Sequence, residues 1–431
     1  MELNHDFSLS KEHFDILVAG GGVAGAAAAL EAARHGKKVV LVEKSMKLGG
    51  LATLGLINFF VPMCNGRGKQ IIFGMGDEFL KLSLKYGYGD IPADFKDGRI
   101  PEELLKKYRE KGELPPRLAT EFSAEIFALQ LLELLVKEGV RVCFDTIISE
   151  PVMSRTDPGR VEAVIVENKG GRSRIAADMY VDVTGDADLL CRAGVPTVTR
   201  GNYHSYWCFM LTLEDCRRAL EAGDIRLAHS KVTGGNANLY GGGHPEEIPL
   251  YDGTDPDEVN RYLIANQLEL LSRFKDSDHR RERDLITIPG MGQFRTTRRI
   301  DGDYVLQEDD IYRHFEDSVA VMNDFDRRDF LFEIPYRTLV RTGFPNLITA
   351  GRSAAADGYA WDCLRVIPPA ILTGQAAGLA ASRAIDESTP ITGIDIPRLQ
   401  ETLAAENMMI HFDDADVPED KDLEAPHELN D

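Results

Sequence analysis

The chain has 431 residues, 70 acidic against 49 basic ones, and a formal net charge of −21. That balance argues against nucleic acid and anionic lipid surfaces as partners, and no run of eighteen apolar residues offers a membrane span. The length exceeds one ordinary core, so at least two domains are expected. The polar opening MELNHDFSLSKEHF has no basic-then-apolar leader, which leads to the expectation of a cytoplasmic protein.

The first predicted elements lie between Asp15 and Lys44. Ile16-Leu17-Val18 reads as a buried parallel strand, Gly20, Gly22 and Gly25 as a G-x-G-x-x-G turn, and Ala26–Ala33 as a helix closed by Gly36. Val39–Val42 reads as a second strand, ending in Glu43. The three glycines meet different physical needs. Gly20 permits the tight turn, Gly22 lets a pyrophosphate approach bare backbone, and Gly25 lets helix and strand pack closely. Val23 and Ala24 open a helix whose free N–H groups and positive dipole end suit phosphates. Glu43, followed by Lys44, is placed to accept hydrogen bonds from an adenosine ribose, and an acid there disfavours a 2′-phosphate. The whole unit predicts a dinucleotide site.

Further along, Leu48-Gly49-Gly50-Leu51-Ala52-Thr53 lies close behind the acid, and Asp182-Val183-Thr184-Gly185-Asp186-Ala187-Asp188 and Asn346–Arg352 come with later strands. These segments resemble the glutathione-reductase-type flavoprotein superfamily. With Arg298–Tyr304 and Leu364-Arg365-Val366-Ile367-Pro368, the combination resembles the FAD-dependent oxidoreductase family, distantly related to fumarate reductase flavoproteins, from Asp15 to about Ala384. The resemblance implies FAD as cofactor. It implies contacts from Gly49, Gly50, Thr53, Thr184, Gly185, Asp186, Gly351 and Arg352, from Val142 near the adenine, and from Arg365, Val366 and Ile367 at the flavin pyrimidine edge. A long helix carrying Gly374 and Gly378 would aim its N-terminus at the flavin, raising its potential. The implied fold is α/β: a Rossmann-like FAD-binding domain, with a parallel sheet and β-meander crossover, plus an inserted α+β substrate or cap domain.

On this reading residues 1–65, 118–200 and 333–390 build the FAD domain. Residues 66–117 form a helical insertion (Asp77–Lys85 and Glu102–Lys111), and residues 391–431 a C-terminal extension whose acidic tail is expected to be mobile from about Asp413. Within the second part, Ala124–Lys137 reads as a helix, Val140–Phe144 as a strand, and Val161–Val166 with Arg174–Tyr180 as a hairpin about Gly170-Gly171. Residues 201–332 form the cap, with helices over Leu211–Ala222 and Asp257–Phe274. No second G-x-G-x-x-G unit for NAD(P)H is present, so reductant or oxidant enters directly or through a partner. An NAD dehydrogenase is disfavoured because Gly49-Gly50, Thr184-Gly185 and Gly351-Arg352 would have no purpose.

Flavin hydride transfer asks the protein for a substrate clamp, a proton donor or acceptor, and exclusion of water. Arg295 and Arg298, in Arg295-Thr296-Thr297-Arg298-Arg299, are clamp candidates, weighed against plain salt bridging to Asp301 and Asp303. Arg365, in a loop expected over Asp357–Arg365, is a second candidate, and His204 is the candidate general acid or base. The six cysteines form no C-x-x-C pair, and no histidines or carboxylates are spaced as metal ligands, so no metal is expected. Cys64 is read as a small buried residue. The expected function is hydride exchange between flavin N5 and a small polar or anionic organic substrate. The alternatives are a flavoprotein subunit passing electrons to an unidentified partner protein, or a protein with a structural, non-redox FAD. The electron acceptor and any homo-oligomeric state are left open.

Overall fold

The computed structural model describes residues 12–275 and 278–419. Its organising element is a seven-stranded sheet. His13–Ala19 pairs in parallel with Val39–Val42 on one side and with Gly171–Asp182 on the other. Arg141–Cys143 extends the first side, and Leu347–Thr349 lies parallel to the end of Gly171–Asp182. The long strand is shared between two environments. Its first residues pair antiparallel with Val161–Asn168, which pairs in turn with Ile147–Met153, forming the meander. The hairpin expected from Gly170-Gly171 is therefore present.

Both faces of the parallel part are covered, so its strands are continuous apolar runs instead of alternating ones. Ile16 and Val18 pack with the helices Val23–Arg34 and Ile367–Asp386, while Phe14, Leu17 and Ala19 face the meander side. The two helices touch through backbone. A Cβ at Gly374 or Gly378 would stand 2.3 Å from the carbonyl oxygen of Ala24 or Ala28, so glycine at four-residue spacing sets their separation. The Ala26–Ala29 run on the facing helix is equally small and fully buried.

The chain climbs from His13–Ala19 outward one way and returns to Gly171–Asp182 on the other side, so the strand order reverses between these two. In open parallel sheets that reversal leaves a crevice beyond the carboxyl ends of the strands. The residues just past four strand ends, Gly20, Glu43, Thr184 and Gly351, all line one cavity.

Above it, Ser205–Thr212, His229–Asn236 and Arg283–Thr287 form a separate antiparallel sheet, backed by the helix Pro256–Lys275 around Tyr206, Tyr251, Tyr262 and Phe294. Three local expectations change. Leu211 and Thr212 end a strand, and the helix starts at Leu213 because the Thr212 hydroxyl accepts the Asp215 N–H at 2.9 Å. Asp357–Arg365 is not a loop. Gly358–Leu364 is helical, started by Asp357 accepting the Gly358 N–H and anchored by buried Trp361 and Leu364. The tail is fixed as far as it is described: Asp413 caps a turn, and Asp416 is ion-paired with Lys69 at 2.5 Å. The remaining acidic residues of the expected mobile tail lie outside the described residues, as does the polar start up to residue 11.

Candidate active site

The cavity holds ≈ 570 Å³, in the range of small-molecule and cofactor sites. Its floor is the glycine turn. Gly20 has φ +109°, and a Cβ there would stand 2.5 Å from the Val183 carbonyl oxygen. Gly22 has ordinary extended backbone, and nothing lies within 4 Å of where its Cβ would be. That open wall is ligand space. Gly49 and Gly50, at φ +96° and +54°, fold back over the turn: the Gly49 N–H donates to the Gly21 carbonyl at 2.8 Å, and Gly50 packs on the Gly22 Cα. Among the described residues, no atom stands where a Gly22 side chain would, so that backbone is open to a pyrophosphate.

Glu43 is nearly buried at the end of its strand. One carboxylate oxygen accepts the Gly21 N–H at 2.6 Å and the other the Ser45 N–H at 2.7 Å. These bonds fix an acid beside the turn, as a ribose diol requires. Asp182 does the same for the Thr184-Gly185 turn, accepting from Thr184 N, Thr184 Oγ1 and Leu190 N at 3.0, 2.8 and 2.8 Å. Burial pushes its carboxyl up to about 6 against these bonds.

Two helix N-termini open into the cavity, neither with an acid in its first turn. The dinucleotide helix offers the amides of Val23, Ala24 and Gly25. In the helix Ile367–Asp386, prolines at 368 and 369 leave Ile367 the only N–H among its first three positions. Both ends favour negative charge.

Gly20, Gly22, Val23, Ala24, Glu43, Lys44, Gly49, Gly50, Thr184, Gly185, Gly351, Arg352, Arg365 and Ile367 all line the cavity. The other expected contacts stand behind it. Gly25 is a packing glycine, since a Cβ would stand 2.0 Å from the Gly20 carbonyl oxygen. The Thr53 hydroxyl donates to the Leu48 carbonyl, bracing the Gly49-Gly50 bend. Val142 is spent in the sheet opposite Leu41, Val366 is the N-cap of the helix Ile367–Asp386, and Asp186 receives Thr297 and Arg352. Sequence reasoning missed Thr146, Ile147, Ile148 and Arg192 near Glu43, and Leu54, Gly290 and Met291.

The candidate catalytic groups separate sharply. Arg298 is a structural tie, with Nε on the Asp186 carbonyl at 2.8 Å and a guanidinium nitrogen 2.7 Å from Asp188. Its acids are those of the Thr-Gly turn and not Asp301 or Asp303. Arg352 is likewise bolted down: it donates to Gly185 O at 2.8 Å, Asp186 Oδ1 at 2.7 Å and the Phe294 carbonyl. His204 lies in the cap core, 3.0 Å from both the Tyr251 hydroxyl and Glu269, and does not line the cavity. Its ring nitrogens meet cap-domain partners and lie outside the cavity lining.

Arg365 and Arg295 remain. Arg365 lines the cavity and pairs with Asp362 at 2.9 Å, and Asp362 also meets Arg200 at 3.5 Å. Arg295 stands behind the cavity lining: it donates through one nitrogen to Ser205 Oγ at 3.2 Å and Ala237 O at 3.4 Å, while its other terminal nitrogen is buried without a partner. Burial and the neighbouring Arg365 charge hold its guanidinium down at about 10. Three arginines against one carboxylate leave an excess of positive charge.

The FAD dependent oxidoreductase family model matches residues 15–213 and 260–403. The chain belongs to that family. Its cofactor is FAD, and the open Gly22 wall, the fixed Glu43 acid and the two helix ends fit that molecule. This oxidoreductase is 29% identical over 194 residues to the digeranylgeranylglycerophospholipid reductase of Methanoculleus marisnigri, covering 44% of this chain and 43% of that protein. It is 47% identical over 45 residues to the soluble pyridine nucleotide transhydrogenase of Chromohalobacter salexigens, 10% of each chain. The chain thus spans less than half the length of the curated relatives it matches. Among solved structures, the flavoprotein/dehydrogenase from Cytophaga hutchinsonii aligns at TM-score 0.44 and 14% identity, over 91% of this chain and 84% of that one.

Proposed function

We propose that this FAD oxidoreductase exchanges a hydride with a small polar or anionic organic substrate held at the Arg365 end of the cavity. Bound FAD supplies the hydride donor or acceptor at N5. The glycine turn and Glu43 hold the adenosine diphosphate half, which leaves the part of the wall formed by Leu54, Gly290, Met291, Arg365 and Ile367 to the redox half. Arg365 and Arg295 would bind and orient an anion through guanidinium forks. The apolar Leu54 and Met291 side chains would exclude water from the reacting atoms. The observation that carries this reading is the buried Arg295 nitrogen without a partner beside Arg365, because a desolvated cationic donor is costly until an anion satisfies it.

The test is anaerobic mixing of the FAD-loaded protein with a panel of small carboxylic and hydroxy acids, following the flavin absorbance. Arg365→Lys and Arg295→Lys should raise KM or lower kcat about ten-fold or more for any acid that bleaches the wild type, with FAD content kept, since each removes a charge-assisted bond worth about 1.5–3 kcal/mol. Unchanged kinetics in both variants would remove the arginines from the site.

A second reading, electron passage to a partner protein, draws on the cap helix Pro256–Lys275, where Ile264, Leu268 and Leu271 form an exposed apolar stripe at helical spacing. Stoichiometric co-purification with a second chain would favour it.

A further inference from the structure

Away from the cavity, the buried carboxylate of Glu333 has histidines as its charged partners among the described residues. Glu333, in the strand Leu331–Pro335, is fully buried, and among the described residues no lysine or arginine pairs with it. His314 Nδ1 lies 2.6 Å from its Oε1, and His411 Nδ1 lies 3.0 and 3.1 Å from its two oxygens. The three candidate ligand atoms fall within 4.8 Å of one another. Phe315 N–H holds Oε2 at 2.7 Å, and the His314 ring stacks on Phe412 with centroids 4.2 Å apart, so two of the three groups are locked in place.

We propose that His314, Glu333 and His411 form a site for a divalent transition metal of the zinc class. Two imidazole nitrogens and one carboxylate oxygen are the donor set such ions take, with a fourth tetrahedral position left to solvent. Magnesium and calcium, which ask for six or more oxygens, are poorly served. A second observation points the same way. His314 Nε2 lies 3.0 Å from Asp414 Oδ1, so Asp414 holds the Nε2 proton, and loss of the Nδ1 proton to an incoming ion leaves the Nδ1 lone pair facing Glu333. This is the outer-shell arrangement that fixes the tautomer of metal-bound histidine. Binding replaces the Nδ1 protons and compensates a carboxylate charge that burial would otherwise leave costly. The two rings are 44% and 46% exposed, which gives the ion a path from solvent.

The ligands come from three separate segments. His411 and Asp414 belong to the C-terminal strap, which runs beside the strand Ser318–Asn323 through Met409 O accepting Val321 N–H at 2.8 Å and Ile410 O accepting the Ser318 hydroxyl at 2.6 Å. A bound ion would clasp that strap to the paired strands Ser318–Asn323 and Leu331–Pro335, apart from the flavin chemistry. Separations of 19 and 78 residues from Glu333 explain why no ligand spacing is visible in the sequence, and the proposed site departs from the expectation of no metal drawn there.

The test uses the full FAD-loaded chain without a histidine tag, stripped with chelator and titrated with zinc chloride against a chromogenic competitor. One equivalent is expected, weakened at least ten-fold by His411→Ala or His314→Ala and about 10- to 100-fold by Asp414→Asn. Zinc should raise the wild-type melting temperature and leave that of the double variant His314→Ala/His411→Ala unmoved. Both histidines are partly exposed, so these variants test the site without emptying the buried Glu333 position. Three results would overturn the proposal: no zinc bound by wild type beyond the double variant, undiminished binding in the double variant, or equal competition by magnesium.

Discussion

Two methyl groups three residues apart, Gly22→Ala and Gly25→Ala, are expected to have opposite effects. At Gly22 the backbone is ordinary (φ −63°, ψ 178°), and a Cβ meets nothing within 4 Å, so fold stability should change by only about 0.5 kcal/mol. The methyl would instead occupy the wall that a pyrophosphate approaches. Overpacking of that kind costs about 1–3 kcal/mol, which is about 5- to 150-fold in FAD dissociation constant at about 1.4 kcal/mol per tenfold. At Gly25 a Cβ would stand 2.0 Å from the Gly20 carbonyl oxygen and 3.1 Å from Val183 Cγ2. The turn must move, with an expected loss of about 3 kcal/mol or more of stability. Urea unfolding of the flavin-free protein reads the change in stability, and titration of FAD by flavin fluorescence reads the change in affinity. A Gly22→Ala protein that binds FAD like wild type would refute the placement of the cofactor on this turn.

Other perturbations separate structural ties from site residues. Arg352→Ala removes the bonds to Gly185, Asp186 and Phe294 and should cost about 3 kcal/mol in urea unfolding, as loss of a buried charged partner does. Gly374→Ala places a methyl 2.3 Å from the Ala24 carbonyl oxygen and should lower the melting temperature of the flavin-free protein, with about 1–3 kcal/mol lost. His35, hydrogen-bonded to Glu31 and Glu406, is pulled up to about 9 from 6.5. Its folded value lies above the unfolded one, so its stabilisation is full below pH 6.5 and is lost as pH rises through about 9. Glu31, pushed up to about 7 by burial, weakens stability in the same direction between about pH 4.5 and 7. The difference in urea midpoint between wild type and His35→Asn should therefore shrink on the alkaline side, and a constant difference from pH 6 to 10 would contradict that.

The nucleotide half of the site was legible because its requirements are local. Gly20, Gly22, Gly25 and Glu43 answer needs of backbone and hydrogen bonding that fall within about thirty residues, and Gly49-Gly50 adds a second bend in register. The parts that could not be read were set by distant packing. Thr146, Ile147 and Ile148 reach the cavity only because Arg141–Cys143 pairs beside Val39–Val42. Arg298 resembled a clamp until the fold brought Asp188 to it from 110 residues away. Asp357–Arg365, lying between the last FAD strand and the long helix after it, read as a loop, whereas the Asp357 cap and buried Trp361 make Gly358–Leu364 a helix. The polar residues at the redox end were ambiguous for the same reason: an arginine is a tie or a clamp according to the partner that tertiary structure supplies.

One FAD per chain is expected to occupy this cavity. The direct measurement is the visible spectrum of the purified protein, taken before and after denaturation and ultrafiltration, with FAD quantified against protein. One equivalent of flavin per chain, reduced in amount by Gly22→Ala, is the predicted result. A colourless protein that takes up NAD but no FAD would contradict it.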